Sequence, residues 1–393
     1  MPIATYVDAN GLIQQAQPNV LRDQHYAGPL GTTSSTGYLR TALLEGAATN
    51  DAGWSESFGN WTPVGTTAQV SQTSGALGLG TVSLTEVTAA SSGGAYGFYD
   101  AAIAFAGNGI KAASIVLAPG NSTRCALHLH DDTLNASRLL ANIEWSSGQP
   151  VVAYLPVGAY YGAVALGNGA FRLLFATSTD VVAGSAHSFN LYPGYNSPSG
   201  LAAAGSVLAG ALQLEDSTAP SSYVPTTGAG TASRSADNLL WAFVLAPQAQ
   251  TLYARFFDYG TICGALGRVA WIGAGDAAAP FLSVDGGGGT PRCYHAEPAG
   301  SVFAQAASGP AYGDSVELRA VLRADGAVLV AQSLNGGAEV ATGYTAALAL
   351  TSAWSSGTLY VGGNGPGGAF GFAALVSLKL AAGLRTLAQM RAL

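Results

Sequence analysis

The sequence predicts an all-β protein: an extended N-terminal arm, then two antiparallel β-sandwiches, then a short C-terminal helix. Three observations predict it. Apolar and polar residues alternate in short runs, the mark of half-buried strands. Turns rich in Gly, Pro, Asn and Asp separate those runs, with Asp325-Gly326 and Asn335-Gly336 as hairpin signals. Charged residues are only 9% of the chain, against roughly 25% in a typical soluble domain, which leaves few for helix-surface ion pairs.

At 393 residues the chain is long enough for two or three separate cores. The formal net charge is −7, and only two of the 15 basic residues are lysines, Lys111 and Lys379. The arginines form no basic stripe, so no nucleic-acid partner is expected. No apolar run reaches the ~18 residues needed to cross a bilayer, and no membrane insertion is expected. The opening MPIATYVDANG has neither the charged nor the apolar region of a secretory signal, which points to a reducing cytoplasm as the place of synthesis. Cys125, Cys263 and Cys293 are an odd count without metal spacing. They read as buried thiols, with a Cys263–Cys293 disulfide as the alternative. A surface so poor in charge is expected to be covered, in a homo-oligomer or a larger assembly.

Residues 1–50 read as an anchoring arm. ATYVDANGLIQQA forms a small hairpin around Asp8-Ala9-Asn10-Gly11. A Pro-, Gly- and Ser/Thr-rich passage follows, and the arm as a whole is expected to take its order from neighbouring chains. Residues 51–228 read as a jelly-roll sandwich. Its strands are TVSLTEV, AYGFYDAAIAF, AASIVLAP, RCALHLH, LLANIEW, VVAYLPV, FRLLFATS, SFNLYPG and ALQLE. Residues 211–240, ALQLEDSTAPSSYVPTTGAGTASRSADNLL, read as the join between the sandwiches, with nothing to bury after the carboxylates. Residues 229–393 form the second sandwich: TLYARFF, RVAWIG, PFLSV closed by the flexible turn DGGGGTP, then SVELRAVLRA, AVLVAQS, AEVATG, GTLYVGGN and FGFAALVSLKL. The tail LRTLAQMRAL reads as a helix with Leu384, Leu387, Met390 and Leu393 on one face.

Several of these strings carry a resemblance. ATYVDANGLIQQAQPNVLRDQHY, then LLEGAATN and FGNWTPVGTTAQVSQT, resembles the opening of a family of tailed-bacteriophage virion surface proteins that occur as tail or head fibres and spikes. In that family a similar hairpin precedes a carbohydrate-binding-module-like jelly roll. LQLEDSTAPSSYVPTTGAGTASRSADNL looks like the family's join to a concanavalin A/laminin-G-like sandwich, and SVELRAVLRADGAVLVAQSLNGGAEVATG with TLYVGGN, FGFAALVSLKL and LRTLAQMRAL is similar to that sandwich. Residues 41–50 and 211–240 are the specific parts, and Ala48 stands where the family commonly has Arg. The resemblance implies a virion-surface protein assembled in the host bacterial cytoplasm. Residues 1–50 would dock it to other virion proteins, and the homo-oligomer would be a trimer by analogy with fibres.

Candidate chemistry is sparse. His128, His130 and Asp132 are spaced at i, i+2 and i+4 on an expected strand, so their side chains share a face if the strand continues that far. Two imidazoles and a carboxylate suit a divalent metal, the plain alternative being a polar outer face. In jelly rolls of the resembling kind an acid near the last strand helps hold a structural calcium, which makes Glu215 a candidate ligand; an exposed acidic turn is the alternative. The loops AYGFYD, GAYYG and YPGYN supply Tyr96, Tyr99, Tyr160, Tyr161, Tyr192 and Tyr195 as candidate glycan contacts, with packing or subunit contact as the alternative. The Gly-rich stretches 285–291 and 363–371 lack the Gly-Lys-Ser/Thr ending of a phosphate loop and read as turns. No G-x-S-x-G, no HExxH and no evident carboxylate pair is present, so no enzyme is expected. The expected roles are therefore a structural virion component or, alternatively, an adhesin that recognises host-surface glycan; a polysaccharide depolymerase is the third reading.

Overall fold

The computed structural model describes residues 5–16, 25–27, 39–45, 47–64, 70–90, 97–178, 181–194, 204–235, 239–243, 249–258, 267–273, 281–350, 357–361 and 373–393. The chain is all-β, with several antiparallel sheets and, among the described residues, one short α-helix. It divides into two compact units. The first comprises Met1–Val20, Leu30–Tyr38 and Ala48–Arg234; the second comprises Leu21–Pro29, Leu39–Ala47 and Ser235–Leu393. Residues 1–50, read as one arm, are thus shared between two units and supply strands to both.

Two six-stranded antiparallel sheets build the first unit. Sheet I runs Gln149–Val157, Ala136–Ser146, Arg124–Asp131, His187–Pro193, Gly97–Ile103, Thr62–Val64. Sheet II runs Ala159–Ala165, Phe171–Ala176, Ala112–Pro119, Gly205–Glu215, Val82–Ala89, Val70–Leu79. Alternation decides what each face buries. Cys125, Leu127 and Leu129 of sheet I are buried, while His128 and His130 between them point the other way and are half-exposed.

Sheet II is covered on both faces. Val116 and Ala118 pack with Leu79, Leu84 and Ala211 under Ile13 and Tyr223, whereas their neighbours Ile115 and Leu117 belong to the opposite face. Ile13 lies in the N-terminal hairpin of Thr5–Val7 with Ile13–Gln15. Its turn is held by Asp8, whose carboxylate accepts from the Asn10 and Leu12 amides at 2.9 and 3.0 Å. The hairpin forms where it was expected, but its order comes from packing on its own chain. Isolated hairpins are marginal in water, so this burial is what stabilises it.

The passage after Glu215 also departs from expectation. Ser221 to Val224 and Thr226 are buried without being a strand. Their backbone groups are satisfied by side chains: Gln213 Oε1 takes the Val224 amide, Glu215 takes the Ser221 amide at 2.7 Å, and Ser55 takes the Thr226 amide at 2.9 Å. Reading the stretch as having nothing to bury overlooked Tyr223 and Val224.

The second unit is a sandwich of a six-stranded and a seven-stranded sheet. Sheet III runs Leu239–Phe243, Gly357–Val361, Arg268–Gly273, Phe281–Gly287, Thr290–Glu297, Gly300–Gln305. Sheet IV runs Val340–Ala341, Val328–Leu334, Ser315–Leu322, Gln250–Asp258, Ala373–Ala382, Leu39–Leu44, His25–Ala27. Leu252, Phe256, Leu318, Ala320 and Val330 meet Ala270, Ile272, Leu282, Val284 and Cys293 in one core. The stretch DGGGGTP forms a turn as read, with Gly288 and Gly289 at φ of 64° and 81° joining two paired strands. Asp325-Gly326 turns as predicted.

The C-terminal helix is shorter than its pattern suggested, Leu387–Ala392. A capping box between Thr386 and Gln389 starts it. Lys379 Nζ donates to the Met390 carbonyl at 2.9 Å near its end. Leu387 and Met390 bury against Tyr253, while Leu384 and Leu393 stay exposed. Six residues make less than two turns, too few to carry four side chains onto one buried face.

Candidate functional site

The outward face of sheet I brings together several of the residues singled out from sequence. Register places Tyr99 opposite Asn190, Asn190 opposite His128, and His128 opposite Leu140. Beside that row lies a second: Tyr192 opposite Ala126, Ala126 opposite Asn142, Asn142 opposite Tyr154. Residues directly opposite in antiparallel pairs share a face, so Tyr99, Tyr192 and Tyr154 rim one surface floored by Asn, His and Ala. Three strand spacings, about 14 Å, separate the lines of Tyr192 and Tyr154. Gly97 lets the Tyr99 strand approach this closely, because a Cβ there would run into the Leu191 carbonyl oxygen.

At one end of this face the polar groups interlock. His130 Nδ1 and Ser188 Oγ both meet Asp132 Oδ1, at 2.9 and 3.0 Å. His128 Nε2 lies 2.9 Å from Ser137 Oγ, and the two imidazoles sit edge-to-face at 5.2 Å. Burial, and then the neighbouring His130, push His128 down to about 4. It is therefore a neutral donor–acceptor at ordinary pH. Such groups beside flat tyrosine faces match a hydroxyl-rich ligand.

The structure separates the remaining candidates. Tyr99 and Tyr192 are strand residues, not loop residues, and so are Tyr160 and Tyr161. The last two belong to sheet II. Tyr160 packs against Phe175 at 5.2 Å, its phenol pushed up to about 12 by burial, and Tyr161 donates to the Thr218 carbonyl at 2.7 Å. Tyr96, Tyr195, Cys263 and residues 363–371 lie outside the described residues. Cys125 and Cys293 are buried free thiols, Cys125 pushed up to about 12 by desolvation. Tyr154 was missed, although VVAYLPV shows it at an alternating position of an edge strand.

The four candidate metal ligands do not form one set. His128 and His130 lie on sheet I, Asp132 lies in the turn just after their strand, which ends at Asp131, and Glu215 closes a strand of sheet II. Glu215 is buried and its oxygens are taken: Oε1 by Gln213 Nε2 and the Ser221 amide at 2.6 and 2.7 Å, Oε2 by Ser221 Oγ at 2.7 Å. Beside it the Lys111 ammonium pairs with Asp216 and donates to the Asn108 carbonyl at 3.0 Å. A carboxylate already saturated by donors, next to a resident ammonium, does not fit a calcium ion. Among the described residues no group of three or more His, Cys, Asp or Glu side chains is arranged to hold a metal.

No protein-family model matches the chain, and no curated protein does. Among solved structures it is similar to the LG1-3 region of the laminin alpha2 chain, at 9% identity and a TM-score of 0.28, over 69% of this chain and 62% of that one. It is also similar to domains LG4-5 of the mouse laminin alpha1 chain, at 13% identity and a TM-score of 0.24, over 70% and 84%. The chain thus spans less than two thirds of the first of these. TM-scores this low add nothing to the architecture, which rests on the chain's own strand register: an all-β protein of antiparallel sandwiches.

Proposed function

We propose that the chain is a non-enzymatic surface protein of a tailed-phage particle whose first sandwich recognises a host-surface glycan. The observation that carries the binding role is the outward face of sheet I, with Tyr99, Tyr192 and Tyr154 around Asn190, His128, His130 and Asp132. The virion role rests on the resemblance of residues 41–50 and 211–240. Residues 1–50 dock the protein to its particle, and the charge-poor surface is covered in a homo-oligomer.

Two measurements test the reading. The chain is looked for in purified particles by immunogold labelling, and its absence from them sinks the virion role. The free protein is then incubated with host polysaccharides. Saturable binding with the polymer length unchanged is expected; shortening of the polymer returns the protein to the depolymerase class, and no binding removes the adhesin role.

A further inference from the structure

We propose that sheet III carries a separate oxyanion site, formed by Arg268 and Arg292 on the face turned away from the sandwich core, for an acidic saccharide bearing a carboxylate or sulfate. Register sets Arg268, Asp285, Arg292 and Gln305 side by side across four strands. The next row is Trp271, Ser283, Tyr294 and Phe303. A bulge between Arg268 and Ala270 turns Arg268 to the Trp271 side, where its guanidinium lies 4.4 Å from the indole centroid.

The charges in this row do not balance. Asp285 is the one carboxylate between two guanidinium groups, and it is committed. Arg292 Nε donates to it at 2.8 Å and Ser283 Oγ at 2.9 Å. Arg268 has no hydrogen-bonded acceptor among the described residues, and its Nη1 is buried without a partner. Half burial lowers its pKa; the Asp285 charge opposes that shift and the positive charge of Arg292 adds to it. A stacked guanidinium keeps its in-plane N–H fork free for a planar oxyanion. One uncompensated charge suits a single carboxylate or sulfate group, not a polyphosphate backbone.

An aromatic row lies beside it, fully buried at Trp271 and open at its far end. Trp271, Phe281, Tyr294 and Phe303 stack in a ladder with centroids 3.9, 5.4 and 6.2 Å apart. The ladder ends at Phe303, 51% exposed on an edge strand. Arg292 lies over Tyr294 and Phe303, at 5.3 and 5.7 Å. An anionic group at the arginines and a sugar ring against Phe303 would use both features at once. The site lies on another sheet, in another unit, from the tyrosine face of sheet I, and stands or falls independently of it.

Calorimetric titration of the full chain with tetragalacturonate, a heparin-derived tetrasaccharide and maltotetraose tests the proposal. At least one acidic probe is expected to bind saturably, about tenfold or more tighter than maltotetraose, and to weaken with salt; which one binds identifies the oxyanion. R268Q is expected to weaken that binding about tenfold or more, and R268K, with charge but no fork, by a smaller factor. The Y99A/Y192A double variant is expected to bind the acidic probe as the unaltered chain does. Absence of binding by both acidic probes overturns the site, as does equal binding of maltotetraose. Unchanged affinity in both R268Q and R268K also overturns it, and R268K keeps the test decisive if R268Q loses its fold.

Discussion

Asn50 Nδ2 donates to the Val224 carbonyl at 2.9 Å, across 174 positions of sequence. The same amide donates to the Leu212 carbonyl at 2.9 Å, and its Oδ1 accepts from the Ala52 and Leu214 amides, both at 3.1 Å. One buried side chain thus stands in for a strand, holding an irregular segment against sheet II. Asn50→Ala leaves four buried backbone groups unpaired. At about 1–3 kcal/mol each, with partial relaxation, the expected loss is about 3 kcal/mol or more. Asn50→Asp, which aims a carboxylate at two carbonyls, is expected to cost more still. Urea denaturation followed by circular dichroism checks both, and a change within about 0.5 kcal/mol would remove Asn50 from this role.

Asp51 lies beside Asp216, Glu215 and Lys111. Burial, then Asp216 and Glu215, raise it from 3.8 to about 7, and its Oδ2 is buried without a partner. A raised carboxyl favours folding most below its unfolded value, and that contribution is lost as pH climbs through about 7. Asp51→Asn should therefore gain stability over the unaltered chain as pH rises from about 4 to 8. Denaturation curves at both ends check this. A difference independent of pH contradicts it.

Lys111 is 1% exposed and its partner Asp216 33%. Removing one member of a fully buried pair costs roughly 3–5 kcal/mol, and partial exposure of Asp216 lowers that figure. Lys111→Met is expected to cost about 2 kcal/mol. Because Lys111 lowers the Asp51 pKa, the same change should push Asp51 further up. Thermal melts at several pH values, with and without Asp51→Asn, measure that coupling.

Tyr99 and Tyr192 face the same surface, whereas Tyr160 and Tyr161 belong to the other sheet of that unit. Tyr99→Ala and Tyr192→Ala are each expected to weaken glycan binding about threefold to tenfold, the ~0.5–1.5 kcal/mol of an aromatic contact. Tyr161→Phe should leave it unchanged. The reverse ranking in a titration would move the binding face to sheet II.

Gly326 sits at φ +80°, and a Cβ there would run into the Leu348 carbonyl oxygen. His295 Nδ1, fully buried, donates to the Gly326 carbonyl at 2.8 Å, so the turn cannot simply swing away. Gly326→Ala is expected to cost about 2 kcal/mol or more. Chemical denaturation measures it. A neutral result would mean that the hairpin tip is free to rearrange.

Most of the strands were legible because alternation is local: AASIVLAP forms Ala112–Pro119 as read, and RCALHLH needs one more residue. The strand Val70–Leu79 escaped because VSQTSGALGL carries small and polar residues without a two-residue period. Ala159–Ala165 escaped because AYYGAVA reads equally as a Gly-broken loop. The pairing of His128 and His130 on one face was visible in their spacing. The neighbourhood of Tyr99, Asn190 and His128 was not, since it depends on which strands lie side by side.

The sequence by itself determined the class of fold, its hairpin turns, the hairpin at Asp8 to Gly11 and the scarcity of charge, all properties of neighbouring residues and of composition. Tertiary structure alone decided that the N-terminal hairpin covers sheet II, that Asn50 and Gln213 replace a strand for residues 221–226, and that Arg268 is left without an acceptor among the described residues. Those outcomes turn on partners tens to hundreds of positions away. Hydrogen bonding and burial select such partners only once register and layer order exist.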